Sequence, residues 1–390
     1  MTERGRGLAA LFLLWMLLVA GAAAAPRIGL VTMEPGEEYW SRFGHNAILV
    51  DEGDGNEPTL YNYGYFDFDE PGFLLRFLKG DMRYRLVALP FSQDLAYYAR
   101  AGRGVTLQWL AIEDAAARDL ADFLAWNARP ENAVYRYDYF TANCSTKVRD
   151  ALDDALGGLL QTQLSGRSRG LTYRMESLRL GMPLPWMGFG MHIGLGPYAD
   201  RPLSRWEESF VPMRLREAVR EVRLPDGRPL VTGEDTLLVH RLPPAWDEPP
   251  QWRARYALLG LTLAIGLLWL GRRTPRALAG IAAGLWALCG VTGLGLLALW
   301  LLTDHVAAWG NENLLLFNPL CLALLPGARA LWRGREPARS FHRLLMLVLL
   351  GAGLALFLRF LPFRLQDNAD WIALMLPLHA ALAWALRRRG

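Results

Sequence analysis

Cysteine, histidine and lysine are all scarce in this chain of 390 residues, which has three, six and two of them. Three cysteines cannot build a disulfide scaffold, and Cys289 and Cys321 sit in long apolar stretches. That leaves Cys144 alone in the more polar half, where an unpaired thiol is a liability in an oxidising compartment unless it is buried or used. The histidines and cysteines are too few and too scattered for metal-ligand spacing, and no glycine-rich phosphate loop follows a strand. No metal or other cofactor is expected. With lysine confined to Lys79 and Lys147, the net charge of +4 is carried almost wholly by dispersed arginine. No basic patch interleaves with exposed aromatics, which sets nucleic acid aside as a partner.

Hydrophobic residues, by contrast, make up 52% of the chain, and they are concentrated. Arg4 and Arg6, the apolar run from Leu8 to Val19 and the small residues Gly21 to Ala25 read as a secretory signal peptide over 1–25. An uncleaved anchor is the alternative, because Pro26 is a poor first residue after a cut; either one exports the chain beyond it. Residues 26–252 alternate strand-like runs, turns and amphipathic stretches, as an exported α+β domain would. Residues 253–390 hold apolar blocks at 256–270, 278–302, 314–332, 344–361 and 371–386, each near the ~20 residues that span a bilayer as a helix. About five spans are expected, forming an all-α membrane domain. The loop with Arg272, Arg273 and Arg276, the loop with Arg333, Arg335, Arg339 and Arg343, and the arginine tail alternate with connections nearly free of basic residues. The positive-inside rule then puts the exported domain and the Thr303–Asn313 loop on the non-cytoplasmic side.

Around Cys144 the sequence reads Asn143-Cys144-Ser145-Thr146, followed by Val148, Leu152, Ala155 and Leu156 at helical spacing. Asn143 is a good N-cap, so a helix is predicted to begin near Cys144. A helix N-terminus stabilises a thiolate and is expected to lower the thiol pKa from ~8.5 towards 3.5–7.5. A nucleophile also needs a base. His45 opens a strand-like run, Asp51 to Asn56 reads as a turn, and Thr59 to Tyr65 reads as the returning strand. Such a hairpin brings Asn62 beside His45 to hold its tautomer, while Asn46 points to the opposite face. A one-residue slip would put Tyr61 or Tyr63 there instead.

The order of histidine on a strand, a polar residue on the next strand, then Asn-Cys at a helix start resembles a circularly permuted NlpC-type, papain-like thiol fold. More closely, Phe43-Gly44-His45-Asn46-Ala47, Tyr61-Asn62-Tyr63-Gly64, Tyr137-Asp138-Tyr139-Phe140 and Asn143-Cys144-Ser145-Thr146 resemble the Lnb family. So do Asp304-His305, Asn311-Glu312-Asn313-Leu314-Leu315 and Asn318-Pro319-Leu320. The resemblance implies a permuted NlpC/papain-like periplasmic domain followed by a membrane bundle, in the bacterial inner membrane. It implies transfer of a fatty acyl chain, through a Cys144 thioester, to the N-terminal amine of lipoproteins. Cys144, His45 and Asn62 would be catalytic, and Asn143, Tyr63, Tyr139, His305 and Asn313 would contact substrate. Phospholipid and the lipoprotein's own glyceride ester are both open as donors.

Two other readings use the same residues. A membrane-tethered cysteine peptidase or amidase acting on cell-wall peptides would keep the nucleophile and change the acceptor. A non-enzymatic envelope scaffold would merely bury Cys144. Five spans with polar residues at the outer face suit a lipid substrate better than a simple anchor does. Elsewhere, Pro185 to Tyr198 is read as too glycine-rich for a helix and too apolar for a solvated loop, and Asn318-Pro319 interrupts the third span.

Overall fold

A computed structural model describes residues 25–387, so nearly all of the expected signal peptide lies outside the described residues. The N-terminal half is built on a sheet of β1 (Arg27–Met33), β2 (His45–Asp51), β3 (Thr59–Tyr65), β4 (Arg83–Pro90), β5 (Val105–Leu110), β6 (Val134–Arg136) and β7 (Val231–Leu238). Its spatial order is β6-β4-β3-β2-β1-β5-β7, and every pairing is antiparallel. Between and after the strands run α1 (Phe73–Lys79), α2 (Phe91–Arg100), α3 (Asp114–Asn127), α4 (Cys144–Ala155), α5 (Leu159–Leu164), α6 (Tyr173–Gly181), α7 (Pro185–Gly194), α8 (Arg205–Glu208) and α9 (Pro212–Glu221).

Alternation along the strands gives the sheet two buried faces. Ile48 and Val50 of β2 pack with Tyr61 and Tyr63 of β3 under Leu124 of α3, Val148 and Leu152 of α4 and Leu215 of α9. Ala47 and Leu49 point the other way, towards Leu60 and Tyr98 of α2. Followed back to the start of β2, the same alternation turns Asn46 to the α4 face and His45 to the α2 face. The expected hairpin is present, with Ile48 opposite Tyr61 and Val50 opposite Thr59.

The C-terminal half comprises α10 (Arg253–Arg273), α11 (Pro275–Leu302), α12 (Leu325–Trp332), α13 (Arg339–Leu358) and α14 (Ala369–Ala385). Four segments are long and apolar enough to cross a membrane, namely 253–273, 275–302, 312–332 and 339–358; α14 is apolar but shorter. The 312–332 segment is not a plain helix. It runs as two 3-10 stretches, Glu312–Leu315 and Pro319–Leu324, before α12 begins, because Asn318 accepts the Leu320 N–H at 2.9 Å and Pro319 cannot continue a helix from below. The Leu316 carbonyl is taken by the buried His379 Nε2 of α14 at 2.9 Å, so this freed carbonyl finds its partner within the bundle.

One expectation is corrected: residues 185–194 form a helix, α7, despite their glycines. Pro185 starts it at a position where no N–H is needed, and Gly188 lies where a Cβ would fall 2.3 Å from the Met182 sulfur, so the glycine permits close packing on the end of α6. The C-terminal end of α7 is capped from the membrane half. Asn311 Nδ2 donates to the Ile193 and Gly194 carbonyls at 2.8 and 2.9 Å, and Asn313 Nδ2 donates to Ile193 at 2.9 Å. Trp371 Nε1 reaches the His192 carbonyl at 3.3 Å. These bonds dock the two halves together.

Candidate functional site

The site is built where α4 begins. Asn143 is its N-cap: Oδ1 accepts the Thr146 N–H at 2.9 Å, and Thr146 Oγ1 accepts the Asn143 N–H at 2.8 Å. This reciprocal box is specified by the sequence Asn-Cys-Ser-Thr. The Asn143 amide nitrogen donates to the Tyr139 and Phe210 carbonyls, both at 2.9 Å. Cys144 is therefore the first helical residue, held at a fixed height above the sheet. Ser145 Oγ lies 2.8 Å from Asn46 Oδ1, and Asn46 Nδ2 donates to Thr32 Oγ1 at 2.8 Å, which ties α4 to β2 and β1.

Cys144 is partly exposed and unpaired. The backbone N–H groups of Asn46, Ser145 and Cys144 itself, with the Arg103 guanidinium, favour its thiolate, yet burial outweighs them and pushes the thiol pKa up. The lowered pKa expected from the helix N-terminus is thus corrected, since the dipole acts in a site that costs more to charge than it returns. Gly64 of β3 faces Cys144. It has φ +95°, which is what calls for glycine, since a Cβ there would make only ordinary van der Waals contact with the Cys144 Cβ at 3.4 Å.

His45 opens β2 at the same end of the sheet. Its Nε2 is 2.9 Å from Asn62 Oδ1, and Asn62 Nδ2 donates to Asp94 Oδ2 at 2.9 Å. Asp94 can accept from that amide, so the amide orientation is determined. Oδ1 can only accept, so Nε2 has the hydrogen and Nδ1 is the ring atom with a free lone pair. Burial lowers the His45 pKa to about 4, with the Asn62 bond opposing and the Arg103 charge assisting that shift. The resting ring is neutral. Arg103 is buried, with Nε donating to the Glu34 carbonyl at 2.7 Å and Nη2 without a hydrogen-bond partner. Its charge acts on both Cys144 and His45.

A cavity of about 310 Å³ opens beside the approach to α4, lined by Met82, Tyr137, Tyr139, Thr141, Asp304 and His305 among others. The Tyr139 and His305 rings stack across it, with centroids 5.8 Å apart. His305 Nε2 donates to the Phe77 carbonyl at 3.0 Å, and Asp304 pairs with Arg136 at 2.9 Å. Both halves of the chain therefore wall this cavity. Among the described residues no cluster of three or more histidines, cysteines or acids could hold a metal ion.

Of the residues read from the sequence, the structure brings Cys144, His45 and Asn62 to one end of the sheet and puts Tyr139 and His305 in the cavity wall. It gives three others different places. Asn143 has its side chain committed to capping; Tyr63 is buried in the core with its hydroxyl donating to Asn127 Oδ1 at 2.8 Å; Asn313 is fully buried and caps α7. The sequence reading missed Asp94 and Arg103. Neither sits in a readable pattern, apart from the Gly102-Arg103-Gly104 flanks that let a buried arginine approach closely packed backbone.

Comparison with protein families gives two matches: the Lnb N-terminal periplasmic domain over residues 21–179 and the Lnb transmembrane domain over residues 253–389. Neither a curated protein nor a solved structure matches the chain. The two family matches follow each other along most of the chain, and the motifs around His45, Asn62 and Cys144 fall inside the first: this is a membrane protein with a periplasmic domain, and it belongs to the Lnb family.

Proposed function

We propose that the protein is a membrane-anchored thiol acyltransferase that moves a fatty acyl chain, through a Cys144 thioester, to the N-terminal amine of lipoproteins. The observation that carries this reading is the His45–Asn62 bond of 2.9 Å at the sheet end where Cys144 begins α4. A histidine held in one tautomer, with Nδ1 free, is prepared to serve as the base for the Cys144 thiol. The chain order of His45, Asn62 and Cys144 supports assigning the domain to the permuted NlpC, papain-like class, and the shared cavity supports a substrate that arrives from the membrane side.

In the first half-reaction the Cys144 sulfur bonds to the carbonyl carbon of an ester, the ester C–O bond breaks, and the thiol proton passes by way of His45 to the leaving alcohol. In the second, the lipoprotein amine bonds to the thioester carbonyl carbon, the C–S bond breaks, and a proton from nitrogen returns through His45 to the sulfur. With a neutral thiol and a neutral imidazole at rest, proton transfer accompanies attack. The backbone N–H groups of Asn46 and Ser145, which point at the sulfur, are the natural donors for charge that develops beside it. Tyr139 and His305 would contact substrate in the cavity, whereas Asn143, Tyr63 and Asn313 are committed to capping and core packing. Keeping water from the thioester would fall to acyl chains and side chains filling the adjacent cavity that both halves wall.

The test is Cys144→Ala in cells that depend on this protein for N-acylated lipoproteins. Mass spectrometry should show the free amine while the variant accumulates normally in the membrane; persistent N-acylation would rule out the thioester route. Labelled phospholipid separates the donors. Label in the N-acyl chain means phospholipid donates, and an unlabelled product lacking one glyceride acyl chain means the lipoprotein's own ester does.

A further inference from the structure

Helix α1 is seven residues long, FLLRFLK, and turns most of its apolar side chains outward: Leu74 is 67% exposed, Leu75 58% and Leu78 56%. Monomeric soluble surfaces rarely carry such a block without a partner. It continues into an exposed aromatic group, in which Tyr39 packs on Trp40, Phe68 and Trp186 with ring centroids 4.7, 6.5 and 5.9 Å apart. Trp186, on α7, is 65% exposed.

The position of this surface identifies its occupant. The end of α1 is fastened to the chain as it leaves the membrane: Asp304 N–H donates to the Lys79 carbonyl at 2.7 Å, two residues after α11 ends at Leu302. Gly80, at φ +80°, permits the contact, because a Cβ there would fall 2.9 Å from the Asp304 carbonyl carbon. Trp300, Leu301 and Leu302, which close α11, are themselves exposed, so the lipid-facing surface of a membrane-spanning helix runs up to α1. The second anchor of the patch, α7, is capped by Asn311 and Asn313 from the next segment of the membrane half. Lys79 at the helix end and the indole of Trp186 have the amphipathic character of interfacial anchors.

We propose that α1, with Tyr39, Trp40, Phe68 and Trp186, lies in the bilayer leaflet adjoining the periplasmic domain, its Leu74, Leu75 and Leu78 side chains among the acyl chains. The bilayer is the occupant because the patch is continuous with the lipid-facing end of α11 and fixed beside it by the Asp304–Lys79 backbone bond and the His305 ring on the Phe77 carbonyl. This membrane contact does not depend on the acyl-transfer reading. It adds an insertion element within the periplasmic domain, next to the cavity that Tyr139 and His305 line.

The test uses the full chain reconstituted in phosphatidylcholine–phosphatidylglycerol vesicles. An environment-sensitive fluorophore is attached at Leu75→Cys or Leu78→Cys in a Cys144→Ser background, where the remaining Cys289 and Cys321 are fully buried. Phe123→Cys on α3, an exposed aromatic outside this patch, is the control. Emission at 75 and 78 should be blue-shifted and quenched about twofold or more when the lipids have brominated acyl chains, with the control unaffected. Water-like emission at both positions overturns the proposal. So does a blue shift that brominated lipid fails to quench, which would mean a protein partner or a second copy covers the helix. The substituted leucines are more than half exposed, so the labelled protein folds as the parent does.

Discussion

Asn62 Oδ1 stands 2.9 Å from His45 Nε2, and the same amide is turned by Asp94, so the imidazole is held by a residue that is itself held. If His45 is the base, His45→Ala should lower kcat/KM by roughly 10²–10⁴-fold. Asn62→Ala should cost less, on the order of 10–100-fold, because the ring remains but loses its fixed tautomer. Acyl-transfer rates measured on membranes with the two variants check the order, and an Asn62→Ala enzyme as fast as the parent would remove Asn62 from the site.

The His45 pKa of about 4 gives the pH profile a distinctive acid side. A protonated imidazole cannot take the thiol proton, so kcat/KM should be undiminished at pH 6 and fall only as pH drops through about 4, whereas an ordinary histidine would put the limb near ~6.5. The Asn62 bond raises the His45 pKa, so Asn62→Ala should move the limb lower still.

Arg103 lowers the pKa of both His45 and Cys144 by its charge. Arg103→Met should therefore move the His45 limb up and also raise the pH at which Cys144 becomes reactive. Iodoacetamide alkylation of Cys144 followed against pH reads the second shift. An unchanged profile would mean that the charge does not reach the sulfur.

Gly64 has φ +95° beside Cys144. Gly64→Ala places a Cβ in left-handed backbone, at a cost of about 1–2 kcal/mol, and 3.4 Å from the Cys144 Cβ. A lowered unfolding temperature together with slower Cys144 alkylation is the expected outcome.

Arg174 and Asp200 form a fully buried two-pronged pair, at 2.7 and 2.8 Å, and the guanidinium also donates to the His192 and Leu195 carbonyls around the end of α7. Arg174→Met leaves the Asp200 charge buried alone and should cost about 3–5 kcal/mol. Thermal unfolding of the detergent-purified protein measures it.

Much of this was legible in order and spacing. Asn143 before Cys144, with Thr146 three residues on, specifies a helix start through local hydrogen bonds. The period-two pattern of β2 and β3 with the Asp51–Asn56 turn specifies a hairpin register, and register alone puts Asn62 rather than Tyr61 beside His45. Long apolar blocks separated by alternating basic loops mark a membrane domain because the bilayer sets their length and the charges their sides. Each of these rests on forces that act over a few residues, or on the solvent. The features that needed the tertiary structure rest on distant contacts. Burial reverses the pKa effect of the helix N-terminus at Cys144, and the amount of burial is a property of the packed site. Asp94 and Arg103 reach the site from α2 and the turn after it, across sequence gaps that no motif spans. The glycine-rich run 185–194 becomes a helix because α6 packs on it and Asn311 and Asn313 cap it, more than a hundred residues away in the chain. Local sequence sets which elements can form; the energies of desolvation and of long-range capping exist only once those elements are packed together.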